Sequence, residues 1–484
     1  MAQIVSEVTK IRRKVLKEVA SLLFSNQLVA GIESIPQKII SDGVHSYRCC
    51  QYKEKAILRE RIKLALGVNP ANYPEEITLK EIAAEVLTND RYKPAPPFIY
   101  IIDEACDHCS IDKIIVTNAC RNCVAHSCVN TCPRDAITIV GNQAFIEREK
   151  CIECGLCIKA CSYRAIIEIE RPCNRACSVE AIVPGEKSTV QINYDNCLGC
   201  AACTVACPFG AISFKSEITT VFKMLRNPGE QVIALLAPSL IGQFGLSINE
   251  NILADGLKKL GFADAYLVAE GADQVIREEG AELRERIEEN NGMMFNSCCP
   301  SFKQLVHKHF PALIDHISTT ESPMLKIARR LREDQQIKTV FIGPCISKKV
   351  EAYEEGQGLI DAVLTFEELT ALLVGAGINL AEIPEKASSP GPYYQSKPSN
   401  TAENFCRAGG VGAAIKQEIG QDDLRIESAD GIEACIQALN KVKNRSLKAD
   451  FLEGMGCQGG CIGGPGTLIK PQVARRLLTK KEKS

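Results

Sequence analysis

Cysteine placement constrains this chain more than any other feature. Of its 484 residues 25 are cysteine, and sixteen of those fall between Cys106 and Cys207, mostly in C-x-x-C units. A disulfide scaffold suits short secreted chains, whereas this one has the length and the 45% hydrophobic content to bury a core without staples. Residues Met1–Ala20 carry Glu7 and Glu18 among their basic residues and read as an amphipathic helix, not a leader. No apolar run approaches the ~20 residues of a membrane span. The expectation is a reducing, cytoplasmic setting, away from membranes, with thiolates on a soft metal. With 57 basic against 59 acidic residues there is no basic footprint for nucleic acid.

The spacing narrows the metal. Cys151-x2-Cys154-x2-Cys157-x3-Cys161 and Cys197-x2-Cys200-x2-Cys203-x3-Cys207-Pro208 follow the bacterial ferredoxin pattern, and Cys120-x2-Cys123-x4-Cys128-x3-Cys132-Pro133 is a variant with a longer middle gap. Zinc sites rarely use three cysteines at this spacing. In ferredoxins three thiolates of the tight loop hold one cubane and the fourth cysteine reaches the neighbouring one. By that exchange Cys120, Cys123, Cys128 and Cys161 hold one [4Fe–4S] cluster; Cys151, Cys154, Cys157 and Cys132 a second; Cys197, Cys200, Cys203 and Cys177 a third. Cys106, Cys109, Cys173 and Cys207 remain for a fourth. The steps Asp135–Ile137 and Gly210–Ile212 resemble the short strands of that fold. A row of clusters is a wire, and a wire needs a reaction at its end.

On either side the texture differs. Apolar residues at three-to-four spacing predict helices around Ile11–Leu23, Ala56–Leu66 and Ile77–Leu87, closed by the proline-rich linker Tyr92–Pro97. After Met224 buried-strand runs (Val232–Ala237, Ala265–Val268, Met293–Phe295, Thr339–Ile342) alternate with helical patterns (Ile248–Leu260, Gln274–Asn290), with a Pro/Ser-rich loop at Lys386–Thr401. The fold class is α+β multidomain: a helical N-terminal domain of no assigned role at 1–97, a ferredoxin-like cluster domain at 98–224, and a two-lobed α/β domain at 225–484.

In the last part, cysteines stand just after strands, where α/β sheets place ligand-binding residues: Cys298-Cys299, Cys345, and Cys457 with Cys461. The last pair lies in Glu453–Gly466, a stretch with seven glycines, the residue used where something must approach the main chain closely. These three segments resemble the signatures of the iron-only ([FeFe]) hydrogenases. Asn296-Ser-Cys-Cys-Pro-Ser-Phe302 matches a T-S-C-C-P-x-W type, Gly343-Pro-Cys-Ile-Ser-Lys-Lys-Val-Glu351 a M-P-C-x-x-K-x-x-E type, and Glu453–Cys461 an E-x-M-x-C-x-x-x-C type. The likeness spans roughly residues 100–470 and points to a divergent, monomeric subgroup.

The resemblance implies that Cys299, Cys345, Cys457 and Cys461 hold a [4Fe–4S] cubane. Cys461 would also bridge to a diiron unit carrying CO, cyanide and a dithiolate with an amine. It implies Lys348 at one cyanide, Pro238 and Ser239 at the other, and Met455 beside the unit. Cys298 would pass protons to the amine, through a relay of Glu279 or Glu282, Ser322 and Glu351. The implied function is reversible conversion of two protons and two electrons to H2. A soluble electron carrier such as ferredoxin and diiron-site maturation proteins would be partners. The competing readings are a hydrogen or redox sensor and a non-catalytic iron–sulfur carrier. Four departures stand out: Gly343 for methionine, which removes an apolar wall, Phe302 for tryptophan, Asn296 for threonine and Pro465 for glycine. Cys406 and Cys435 are assigned to the core.

Overall fold

A computed structural model describes residues 5–40, 47–89, 92–106, 109, 113–185, 189–289, 292–332, 337–384 and 398–482. Residues 386–397 of the expected Pro/Ser-rich loop lie outside these.

The predicted N-terminal helices occur as Glu7–Phe24, Gln51–Ala65 and Leu79–Thr88. Ser6 caps the first by accepting the Thr9 N–H, and Thr78 and Glu81 form a reciprocal capping box on the third. The apolar stripe of the first (Val15, Leu16, Val19, Leu22, Leu23) is buried, as its spacing requires. These helices have no core of their own. Their apolar faces join one large core with the α/β part, against helix Phe366–Gly375 above all. Phe24 meets Phe222 edge to face at 5.1 Å, and Arg12 and Arg13 both pair with Glu367, at 2.7 and 3.0 Å. The expected linker is pinned down: the Tyr92 hydroxyl donates to the Gly67 carbonyl and Lys93 to that of Ile360.

The cluster block is built from two-stranded antiparallel ribbons. Ile114–Val116 pairs with Ile166–Glu168, Ile137–Val140 with Gln143–Ile146, Ile182–Pro184 with Val190–Ile192, and Ile99–Ile101 with Ile212–Phe214. The block ends before its expected boundary at 224. Helix Ile218–Arg226 buries Ile218, Val221 and Phe222 in the large core and so belongs with the α/β part.

That part carries two parallel sheets. One has strands Asp264–Leu267, Gln231–Leu236, Ile337–Gly343 and Ala362–Thr365 in that spatial order; the other has Met294–Phe295, Phe451–Met455 and Ile426–Asp430. Because the strands are parallel, their C-terminal ends within each sheet lie on one side, and the cysteine segments leave from those ends. A buried charge triad ties the parts together. Lys349, 1% exposed, donates to Glu217, Glu368 and the Val363 carbonyl at 3.3, 3.1 and 2.6 Å. Among the described residues no helix is long and apolar enough to cross a membrane.

Candidate active site and cluster centres

In the cluster block the thiols fall into neighbouring sets. Burial, then the charges of Cys207 and Cys109, raise the pKa of Cys106; burial and the charges of Cys207, Cys109 and Cys106 push Cys173 to about 11. Cys128 neighbours Cys161 and Cys123; Cys157 neighbours Cys151 and Cys154, and these three share one small cavity with Cys132. Cys203 feels Cys200, Cys197, Cys177 and, beyond its own set, Cys173. Backbone N–H groups of Ala136, Ala165 and Ala181 donate to the sulfurs of Cys132, Cys161 and Cys177, each at 3.3 Å. Donors of this kind favour thiolates and tune cluster potential. Cys200 also neighbours Cys345 and Cys457, so the third set abuts the α/β site.

At that site Cys298, Cys299, Cys345, Cys457 and Cys461 line one cavity enclosing about 810 Å³ not filled by protein. Pro238, Ser239, Lys348, Met324, Phe341, Phe405, Cys406 and Met455 complete its wall. Burial drives the pKa of all five thiols upward, with Cys345 at about 11. Bare thiolates are therefore disfavoured here, and metal loading must displace protons. Ser239, fully buried, has a hydroxyl with no hydrogen-bond partner. A buried polar group left unmet marks a place for a ligand, so the donor set and this hydroxyl fit a cluster with a polar, non-protein extension.

The glycine-rich third segment interlocks with the other two. A Cβ on Gly454 would lie 2.3 Å from the Phe302 ring, and one on Gly464 would lie 2.9 Å from Pro344. What approaches these glycines is the protein itself. Gly343 removes no wall. Its place is closed by the Phe341 ring, which a Cβ there would meet at 2.6 Å, and Phe341 lines the cavity instead. Nothing in the structure explains Pro465.

Around Cys298, Asn296 donates its amide to the sulfur at 3.1 Å and is held by the Gly454 N–H at 2.7 Å. Glu279 accepts both the N–H and the hydroxyl of Ser297 at 3.0 Å. Burial raises the Glu279 pKa to about 7 against those two donors, helped by the charges of Glu282 and Glu453. Glu282 accepts from the Ser318 hydroxyl at 2.7 Å and pairs with Arg286. Ser322 stands elsewhere, accepting from Lys348 at 3.1 Å, and Glu351 pairs with the same lysine at 2.5 Å. Burial opposes the Lys348 charge, but Glu351 and the thiols Cys345 and Cys298 outweigh it and raise its pKa.

Several residues escaped sequence reasoning. Ser318 lies four residues before Ser322 with nothing local to prefer it. Cys406, assigned to the core, lines the cavity near Cys461. Its loop is fixed by Glu453, which accepts the N–H groups of Gly409 and Gly412, both at 2.9 Å. Gln243 donates to the Ser239 carbonyl at 3.0 Å and accepts from the Leu468 N–H at 2.7 Å, tying the first strand's exit to the third segment.

A carboxyl raised from 4.5 to about 7 binds protons in the folded state that the unfolded chain has released. Its contribution is full below the unfolded pKa and is lost as pH rises through the folded one. Glu279→Gln should therefore flatten the stability decline between about pH 4.5 and 7 by on the order of 3 kcal/mol. Urea midpoints of apo protein across that range check it; identical slopes in both proteins would contradict it.

Residues 230–465 match the family model described as the iron only hydrogenase large subunit, C-terminal domain; residues 112–162 match a 4Fe-4S dicluster domain and 189–212 a 4Fe-4S binding domain. The periplasmic [Fe] hydrogenase large subunit of Nitratidesulfovibrio vulgaris is 29% identical over 376 residues, spanning 60% of this chain and 89% of the relative. Iron hydrogenase 1 of Clostridium pasteurianum is 28% identical over 412 residues, 72% of this chain and 69% of the relative. The cytosolic Fe-S cluster assembly factor NAR1 of Eremothecium gossypii is 25% identical over 367 residues, 61% and 81%. With that domain, those cluster segments and that order, the chain is a divergent member of the iron-only hydrogenase family.

Proposed function

We propose that this protein catalyses the reversible conversion of two protons and two electrons to H2. The observation that carries the reading is the single cavity in which four cluster thiols meet Cys298, Lys348 and the unpartnered Ser239 hydroxyl. Cys299, Cys345, Cys457 and Cys461 would hold a [4Fe–4S] cubane, with Cys461 bridging to a diiron unit. Pro238, Ser239 and Lys348 would bind its cyanides, and Met455 would pack beside it. When bound, that unit supplies the site where protons and electrons combine. Lys348 is kept cationic by Glu351 and oriented by Ser322, which suits an anionic ligand. In this reading Cys298 moves protons between the cavity and Glu279, and Glu282 with Ser318 continues toward solvent. Proton transfer needs groups within hydrogen-bond reach, and this arrangement favours Ser318 over Ser322 and leaves Glu351 to the lysine.

Electrons would reach the cubane through the set Cys177, Cys197, Cys200 and Cys203, fed by Cys106, Cys109, Cys173 and Cys207. Their source or sink would be a soluble carrier such as ferredoxin, in the cytoplasm, and the diiron unit would come from maturation proteins. The likeness to an Fe-S cluster assembly factor favours a second reading, a non-catalytic iron–sulfur carrier that keeps the cubane alone. Infrared spectroscopy of protein produced with the maturation machinery separates them. Bands of metal-bound CO and cyanide are expected, and their absence would exclude the enzyme.

A further inference from the structure

The N-terminal helices do more than pack. Helix Gln51–Ala65 sends Ile57 and Leu64 into the small core that contains Cys173 and Cys207. From the same helix Arg61, 7% exposed, donates to the Gly210 carbonyl at 2.5 Å, in the loop just after Cys207. Contact there is tight, since a Cβ on Gly210 would lie 2.6 Å from the guanidinium. Arg48, just ahead of the helix, donates to the carbonyls of Ala105 and Phe209 at 3.2 and 3.1 Å, bridging the loops that bear Cys106 and Cys207. Its guanidinium stands over the Phe209 ring at 5.5 Å. The Arg61 and Cys207 charges act on each other, as do those of Arg171 and Cys106.

We propose that the N-terminal segment is an electrostatic clamp on the cluster held by Cys106, Cys109, Cys173 and Cys207, and that buried Arg61 raises its reduction potential. A cation beside a cluster stabilises the added electron, and net charge and burial are among the protein's levers on potential. The nearest carboxylates on the cluster loop, Asp103 and Glu104, are exposed and screened by solvent, whereas Arg61 is not. The cluster therefore sees net positive charge. Because Cys173 neighbours Cys203, it stands one step behind the cluster that abuts the active site. Raised in potential, it retains an electron there between turnovers. The inference rests on the ligand set read above but not on hydrogen turnover.

The test is an EPR-monitored redox titration of the full-length, cluster-loaded protein, with iron counted for each variant. Arg61→Gln should lower one midpoint by 59 mV or more, a tenfold fall in the equilibrium constant for a one-electron couple. The other midpoints should stay, and Arg61→Lys should restore the shifted one. Arg48→Gln, less buried, should shift the same midpoint by less. Unchanged midpoints in Arg61→Gln would overturn the proposal. So would loss of about four irons per chain in that variant, which would make Arg61 a structural pin. A wild-type protein lacking the iron for this cluster would instead refute the ligand assignment.

Discussion

Lys349→Met should lower stability by roughly 3–5 kcal/mol, the usual cost of stripping one partner from a buried ion network. Lys349 sits between Glu217 and Glu368 with almost no solvent access. Each carboxylate has further work: Glu217 accepts the Val363 N–H at 3.0 Å, and Glu368 that of Thr365 at 2.6 Å, closing a capping box. Removing the ammonium strands two carboxylates where burial already raises the Glu217 pKa. The network spans the end of the cluster block, strand Ala362–Thr365 and helix Phe366–Gly375, so the loss should be felt across the molecule. Denaturant midpoints of the apo protein measure it. Adding Glu217→Gln should recover part of the loss, because one stranded charge is removed with its partner. A single variant within about 1 kcal/mol of wild type would mean that water reaches the triad.

Cys298→Ala should lower hydrogen turnover by at least about a hundredfold, the low end for removing a general acid–base group. The CO and cyanide bands and the iron content should remain, because Cys298 is not among the four thiols assigned to the cubane. Ser318→Ala should slow turnover as well, through Glu282, while Ser322→Ala should act mainly on Lys348 and the cyanide bands. Full turnover in Cys298→Ala would remove this thiol from the relay. A larger loss in Ser322→Ala than in Ser318→Ala would restore the route expected from the motifs.

What was legible in the sequence was local. Cysteine spacing reads out ligand loops because a cubane needs three thiolates from one tight turn, and strand runs ending at Cys299 and Cys345 announced a site at the sheet edge. Side-chain geometry across elements was not legible. Gly343 looked like a missing wall because the Phe341 ring that fills it lies two residues back on the same strand. Ser318 and Ser322 could not be told apart until Glu282 and Lys348 were placed on different sides of the loop. The N-terminal helices were visible as amphipathic patterns, but a pattern names a buried face and not the surface that buries it. Arg48 and Arg61 therefore read as ordinary helix-surface cations.

The shared core of the first and last thirds also sets a schedule for synthesis. Helix Glu7–Phe24 is made early, yet its main partner, Phe366–Gly375, leaves the ribosome more than three hundred residues later. At roughly 5–20 residues per second that is about 20–70 s. During that interval an apolar helix face has no native surface to cover it, and the cluster loops emerge into the gap. The nascent chain should therefore engage a holding chaperone through its first helix, and iron–sulfur insertion into the middle of the chain takes place before the N-terminus has docked.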